Sequence, residues 1–309
     1  MTSPAARLDC IYVAASRSDA RFTRICIASI RRLYPSIPIR LLAGGPLQPG
    51  LAAELARHWD VAMADVPRRD WGWGFVKLEP LFGPDGEHFL VLDSDTAFTG
   101  PVLEIWAESD ADFLVDDEQQ SEAELARLYY DWRKVGEIDQ NACPPRFVFN
   151  SGQWFGTAGV LRRRDFAPFI DWDEPRPRLR RPHLFMPGDQ GVLNYVVNQK
   201  AQLEGLSVER QRIMRWPGHG MTGLSAKDVA AGRAPRAIVH WAGMKKARLG
   251  AMVGGDLLRY FERGYYGRVP GGEALRIARG CFHAMEPLRG RVERRLHALV
   301  SGGATATPR

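Results

Sequence analysis

The chain has 309 residues, 45% of them hydrophobic and 25% charged, and a formal net charge of +6. That is an ordinary globular composition. No apolar run approaches the roughly 20 residues that cross a bilayer, and Asp9 interrupts the apolar stretch a secretory leader would need, so none is expected. Cys10, Cys26, Cys143 and Cys281 stand far apart without C-x-x-C spacing, which suits reduced cytosolic thiols and neither a disulfide framework nor a zinc site.

Asp9–Ala15 reads as a first strand that opens into a polar loop. Ala20–Tyr34 follows as an amphipathic helix stopped by Pro35 and Pro38. Ile39–Ala43 is a second strand, Leu51–His58 a helix and Val61–Ala64 a short strand, an order that implies a doubly wound, mostly parallel sheet. Val76–Phe82 is expected to be helical, and the apolar run 88–93 to be a strand buried on both faces. A short helix at Pro101–Ala107 and a strand at Ala111–Val115 come next. Asp116–Asn141 reads as a polar insertion with its best helix at Glu122–Val135. Arg146–Phe149 and Gln153–Val160 read as extended, and the Pro/Arg-rich stretch from Asp171 to His183 as a loop. Asp189 suits the start of a helix running to Val197, and Ala237–His240 is a short strand.

Beyond residue 250 the character changes. Leu257–Val300 holds nine Arg against four Glu. Leu275, Ala278, Phe282 and Met285, then Leu288, Val292 and Leu296, trace one face of a basic amphipathic helix interrupted at Pro287. Such a tail points to an anionic partner. With no nucleic-acid motif beside it, a membrane surface or acidic polymer fits and nucleic acid does not. Residues 301–309 read as disordered.

The run at 88–93 ends in Asp93-Ser94-Asp95. On a strand, side chains at i and i+2 leave the same face, so the two carboxylates would converge on one hard cation. They would do so at the carboxyl end of a strand, where open α/β sheets collect ligands. The same letters also describe a strand followed by an acidic turn, and the pair alone leaves both readings open.

Three further pieces follow it: Asn150-Ser151-Gly152, Gly188-Asp189-Gln190 and His240-x-x-Gly243-x-x-Lys246. In this order and spacing the four resemble the retaining GT-A glycosyltransferases of family 8, the glycogenin and bacterial galactosyltransferase type, over about residues 8–250. The resemblance implies a GT-A (Rossmann-like nucleotide-diphospho-sugar transferase) catalytic domain at 8–250, with a basic helical extension at 251–300. It implies transfer of a hexose from a nucleoside diphosphate sugar, a UDP-sugar, to a glycan or lipid-linked acceptor with retention. Asp93, Asp95 and His240 would hold Mn²⁺ or Mg²⁺, a Lewis acid for the leaving diphosphate. Lys77, Ser94, Gly243 and Lys246 would meet the donor diphosphate, and Ala14, Ala15 and Ser16 the nucleoside. Asn150, Ser151, Gly152, Asp189 and Gln190 would line the sugar pocket, with Asn150, Asp189 and Gln190 nearest the chemistry.

An amide is a poor nucleophile, so same-face attack is the expected route past Gln190. Gly191, Trp241 and Ala247 depart from the family pattern, which usually has an acidic residue, Tyr or Phe, and Pro at those places. Trp71, Trp73, Trp154 and Trp172 are candidates to stack on sugar, and Arg176, Arg178, Arg180 and Arg181 to border the acceptor. The enzyme would work in the cytoplasm, its tail on the inner membrane face. Two rivals remain: an inverting GT-A enzyme with Asp189 as general base, and a non-catalytic glycan-binding protein on the same fold. A nucleotidyltransferase has less support still, because no Gly-rich phosphate loop follows the first strand.

Overall fold

The computed structural model describes residues 7–67, 70–72, 74–173, 175–218, 221, 223–244 and 248–283. Trp73, Lys246, Met285, Leu288, Val292, Leu296, residues 284–300 of the expected tail and the expected disordered end lie outside them.

Strands β1 (Cys10–Ala15), β2 (Ile39–Ala43) and β3 (Val61–Met63) alternate with α1 (Ala20–Leu33) and α2 (Leu51–Trp59). Each strand pairs parallel with the one before it. Strand β4 (His88–Asp93) then lies on the other side of β1, with Ala14 opposite Asp93. The order therefore reverses between β1 and β4, and a crevice opens outside their carboxyl ends. Beyond β4 come β6 (Phe113–Asp116), β7 (Gln153–Thr157) and β10 (Val208–Gln211), making a seven-stranded sheet in the order β10-β6-β7-β4-β1-β2-β3. Within this sheet, among the described strands, only β7 runs antiparallel, to its neighbours β4 and β6.

A second, three-stranded sheet joins β5 (Thr96–Phe98), β11 (Met214–Arg215) and β12 (Ile238–His240) in the order β11-β12-β5. Two-residue links join it to the large sheet, Ser94 and Asp95 between β4 and β5 and Arg212 and Ile213 between β10 and β11. Apolar side chains fill both faces of the large sheet. One core holds Ile25, Ile27 and Leu55 beneath the first strands. The other holds Trp71, Trp154 and the inner face of α7 (Asp189–Leu203).

Several local expectations change. Residues 75–82 form a 3-10 helix, and the 122–135 stretch is two short helices, α4 (Glu122–Leu128) and α5 (Trp132–Val135). The Pro/Arg-rich stretch carries a small ribbon of β8 (Ile170–Asp171) and β9 (Arg178–Leu179). Arg146–Phe149 forms only an isolated antiparallel bridge, Val148 opposite Glu118, and side chains of α7 supply hydrogen bonds on its other side. Asn198 Oδ1 accepts from the Arg146 amide at 2.9 Å, and Asn194 Oδ1 from the Phe149 amide at 2.9 Å. Their amide nitrogens donate to the carbonyls of Phe147 and Phe149. Two asparagines one helical turn apart thus replace a ladder partner.

Past residue 250, α9 (Gly255–Gly267) packs Leu257, Leu258, Phe261 and Tyr265 into the same core as α1. Residues 272–283 are helical again, with Leu275, Ile277 and Phe282 exposed. No helix among the described residues is long and apolar enough to cross a membrane.

Candidate functional site

Strand β4 stops at Asp93, and Asp95 lies in the turn before β5, so the two carboxylates do not share a strand. They converge all the same, because the turn folds the chain across the end of the sheet. The Ser94 amide donates to Ala14 O at 3.1 Å and the Asp93 amide to Gly152 O at 2.7 Å, pinning the turn from both sides. Strand β12 pairs antiparallel with β5 so that His240 stands opposite Thr96, and the Trp241 amide donates to Asp95 O at 2.9 Å. That register brings the imidazole to the carboxylates: Nε2 of His240 lies 3.3 Å from Asp95 Oδ1 and 3.8 Å from Asp93 Oδ2. One ligand atom from each of Asp93, Asp95 and His240 lies within 4.8 Å of the others.

This cluster fits a divalent cation. His240 is buried, yet neither ring nitrogen has a hydrogen-bond partner among the described residues, an expensive condition unless a ligand takes up a lone pair. Two carboxylates and an imidazole suit Mn²⁺ or Mg²⁺. The space beside them is kept open by Gly152. A Cβ there would stand 2.3 Å from His240 Cε1 and 2.8 Å from Asp93 Oδ2. Trp216, absent from the sequence-based candidates, covers the outer side of the imidazole, stacked with centroids 5.3 Å apart and planes 20° from parallel. Its loop carries no periodic pattern, and only the pairing of β11 with β12 brings it there. Glu118, its carboxyl pushed up by burial, accepts a hydrogen bond from the Tyr129 hydroxyl. Asp116, which burial pushes up to about 6, accepts from the amides of Ile213 at 2.9 Å and Met214 at 2.7 Å, tying β11 to the large sheet.

Behind the cluster, Lys77 is buried and bridges two acids, 3.2 Å from Asp93 Oδ1 and 3.1 Å from Asp189 Oδ2. It also donates to Ser151 O at 3.2 Å and Oγ at 3.1 Å. Burial works against the ammonium, but Asp189 and Asp93 outweigh it and hold its pKa above the usual lysine range. Asp189 is shifted up by burial, an effect that Lys77 opposes and Asp93 reinforces. Gly74, at φ +79°, precedes the 3-10 helix that delivers Lys77, and a Cβ on it would overlap Asp189 Oδ1 at 1.9 Å. Gln190 is clamped through both ends of its amide: Nε2 donates to Leu128 O at 2.9 Å, and Oε1 accepts from Asn150 Nδ2 at 3.2 Å and the Ser151 amide at 3.3 Å. Asn150 Oδ1 closes a turn by accepting from the Gly152 amide at 2.8 Å.

Lys77, Asp93, Asp95, Asp189, Gln190 and His240 open onto one cavity of about 890 Å³, which Asn150, Ser151 and Gly243 also line. Ala14, Ala15 and Ser16 end β1 beside it but are not among its walls, whereas Ser18 is. Ser94 is fully buried in its turn. The tryptophan candidates turn inward: Trp71, Trp154 and Trp172 are buried in the core, Trp154 stacked on Phe113. Arg180 and Arg181 border a different hollow, along the outer side of α7.

No family model matches the chain, and no curated protein matches it in sequence. Among solved structures it is similar to the galactosyltransferase LgtC in complex with donor and acceptor sugar analogs. The two share 15% identity and a TM-score of 0.54 over 84% of this chain and 96% of that one. It is also similar to the bifunctional glycosyltransferase WbbM in its apo form, at 15% identity and a TM-score of 0.52, over 84% of this chain and 49% of that one. The chain has the GT-A fold. Within this fold the carboxylate–imidazole cluster sits at the reversal of strand order.

Proposed function

We propose that this protein is a metal-dependent, retaining glycosyltransferase of the family 8 kind. It would move a hexose from a UDP-sugar to a glycan or lipid-linked acceptor. The observation that carries the reading is the convergence of Asp93, Asp95 and His240, from two different sheets, on one wall of a large cavity that also holds the Lys77–Asp189 pair. Similarity to a galactosyltransferase that binds donor and acceptor sugar analogs supports it.

Asp93, Asp95 and His240 would hold Mn²⁺ or Mg²⁺, which supplies charge stabilisation for the leaving diphosphate. Gly243, whose φ of +73° favours glycine, lets backbone approach the phosphates, with Lys246 offering a further cation. Asp189 and Asn150 accept hydrogen bonds from donor hydroxyls. In the transfer step the bond from the anomeric carbon to the phosphate oxygen breaks and a bond to the acceptor oxygen forms on the same face. The acceptor proton passes to the departing phosphate oxygen. Gln190 serves as a positioning residue, since both ends of its amide already bond to protein. The engagement of Asp189 by Lys77 at 3.1 Å weighs against the inverting alternative, in which that carboxylate must take a proton. The 272–283 helix, with Leu275, Ile277 and Phe282 exposed beside arginines, would rest on the inner membrane face.

The test is a panel of nucleotide sugars in thermal shift, with and without Mn²⁺, followed by the anomeric configuration of the product. A UDP-hexose is expected to raise Tm only with metal, by mass action, and Asp93→Asn to abolish the rise. A panel in which no nucleotide sugar acts removes the reading; an inverted product removes retention alone. Metal-dependent donor hydrolysis excludes a non-catalytic protein.

A further inference from the structure

We infer that the cavity has a cationic arm that binds an anionic group of the acceptor, a phosphate or carboxylate; the inference rests on the transferase reading above. The arm is built by elements other than those of the metal cluster: the first turn of α1, α9, residues 248–250 and the 272–283 helix. Arg21, Arg248, Arg259 and Arg276 line it against a single carboxylate, Glu262.

Glu262 is buried and already answered by Arg21, whose Nε lies 2.7 Å away. Arg276 pairs with Glu273 of its own helix at 2.5 Å and feels Glu262 across the arm. Arg248 and Arg259 have no ion pair among the described residues. The arm therefore keeps a positive surplus within a cavity wall, where partial exclusion of water strengthens it. A neutral sugar asks only for hydrogen-bonding groups. Guanidinium forks held in a concave site match the paired oxygens of phosphate or carboxylate.

The donor diphosphate is assigned to the metal cluster on β4 and β12, whereas the arm's arginines come from α1, α9, residue 248 and the 272–283 helix. The 272–283 helix is fixed in place as a wall. Arg279 reaches across to Glu54 of α2 with contacts of 3.0 and 2.5 Å, so Arg276 and Gly280 hold their positions on the cavity.

The experiment is calorimetric titration of the full-length protein, with Mn²⁺ and UDP present, by glucose, glucose 6-phosphate and glucuronate. At least one charged probe is expected to bind about tenfold or more tightly than glucose, and the two charged probes tell phosphate from carboxylate. An Arg259→Gln, Arg276→Gln double variant is expected to erase that preference, while its affinity for UDP stays within about twofold of the wild type. No preference for either charged probe, including no binding at all, overturns the proposal. So does a double variant that loses UDP affinity instead, which would give the arm to the donor. The UDP titration of the wild type reads the transferase assignment separately: if it fails, that assignment fails first.

Discussion

At the scale of single residues, burial decides which charges matter. An exposed pair such as Arg133–Glu122 is worth about 0–1 kcal/mol, because water screens it and two long side chains lose freedom. Removing one member of a buried pair costs about 3–5 kcal/mol, because the other is left charged and alone. Lys77 belongs to the second kind, and it holds Asp93 and Asp189 at a fixed separation across the site. Gly152 acts by absence. Gly152→Ala is expected to push His240 off the carboxylates, since the added carbon would stand 2.3 Å from the ring. Loss of a mere supporting contact at a metal site costs about 10–100-fold in affinity, so the loss here should reach about a hundredfold. Mn²⁺ titration followed by thermal shift reads it, and a wild-type response to Mn²⁺ in that variant would show that the cradle is not used.

At the scale of elements, helices do work expected of strands and tails. Asn194 and Asn198 of α7 hold the extended segment that ends in Asn150, so one helix places both Gln190, on its own first turn, and the turn opposite it. Glu54 of α2 gathers Arg24, Tyr265 and Arg279, tying α1, α9 and the 272–283 helix to one carboxylate. Burial opposes its charge, but those three donors prevail and pull its pKa from 4.5 to about 2. With the folded value below the unfolded one, the stabilisation is whole above pH of about 4.5 and is lost as pH falls toward 2. Glu54→Gln should lower Tm at pH 7 by about 2–4 °C. The gap to the wild type should close on acidification through that window, as melting curves from pH 7 to 2 would show. A gap that persists at pH 2 would place the effect in packing.

For the whole molecule, the site exists because two sheets and a carboxy-terminal helix meet. The large sheet supplies Asp93, the small one His240, and helices beyond residue 250 the far wall of the cavity. Because α9 is part of the core, removing everything after residue 255 would strip packing along with any tail function. Membrane association is better tested by substitution. The triple change Leu275→Ser, Ile277→Ser, Phe282→Ser alters exposed side chains of the 272–283 helix. The wild type is expected to co-sediment with vesicles of anionic phospholipid at low salt and to leave them in 1 M salt, where the screening length is about 3 Å. The variant should bind at least about tenfold more weakly. Equal binding by both would take the membrane role from this helix.

The alternation of strands and helices through residue 59 was legible in the sequence, because each element there repeats its own apolar period and ends at Pro, Gly or a polar loop. The acidic end of β4 was legible too, as were Asp189 at the start of α7 and a histidine closing β12. Motif spacing carried those residues even where local geometry differed. Asp93 and Asp95 converge through a turn and not along a strand. Only the tertiary structure decided what lies between distant segments. The pairing of β12 with β5 set His240 beside Asp95, the pairing of β11 with β12 laid Trp216 over it, and the core drew in Trp71, Trp154 and Trp172. Strands of two to four residues such as β10 and β11 are too short to show a period, and a loop tryptophan shows none. Their positions follow from register and packing, which belong to pairs of segments and not to any one stretch of chain.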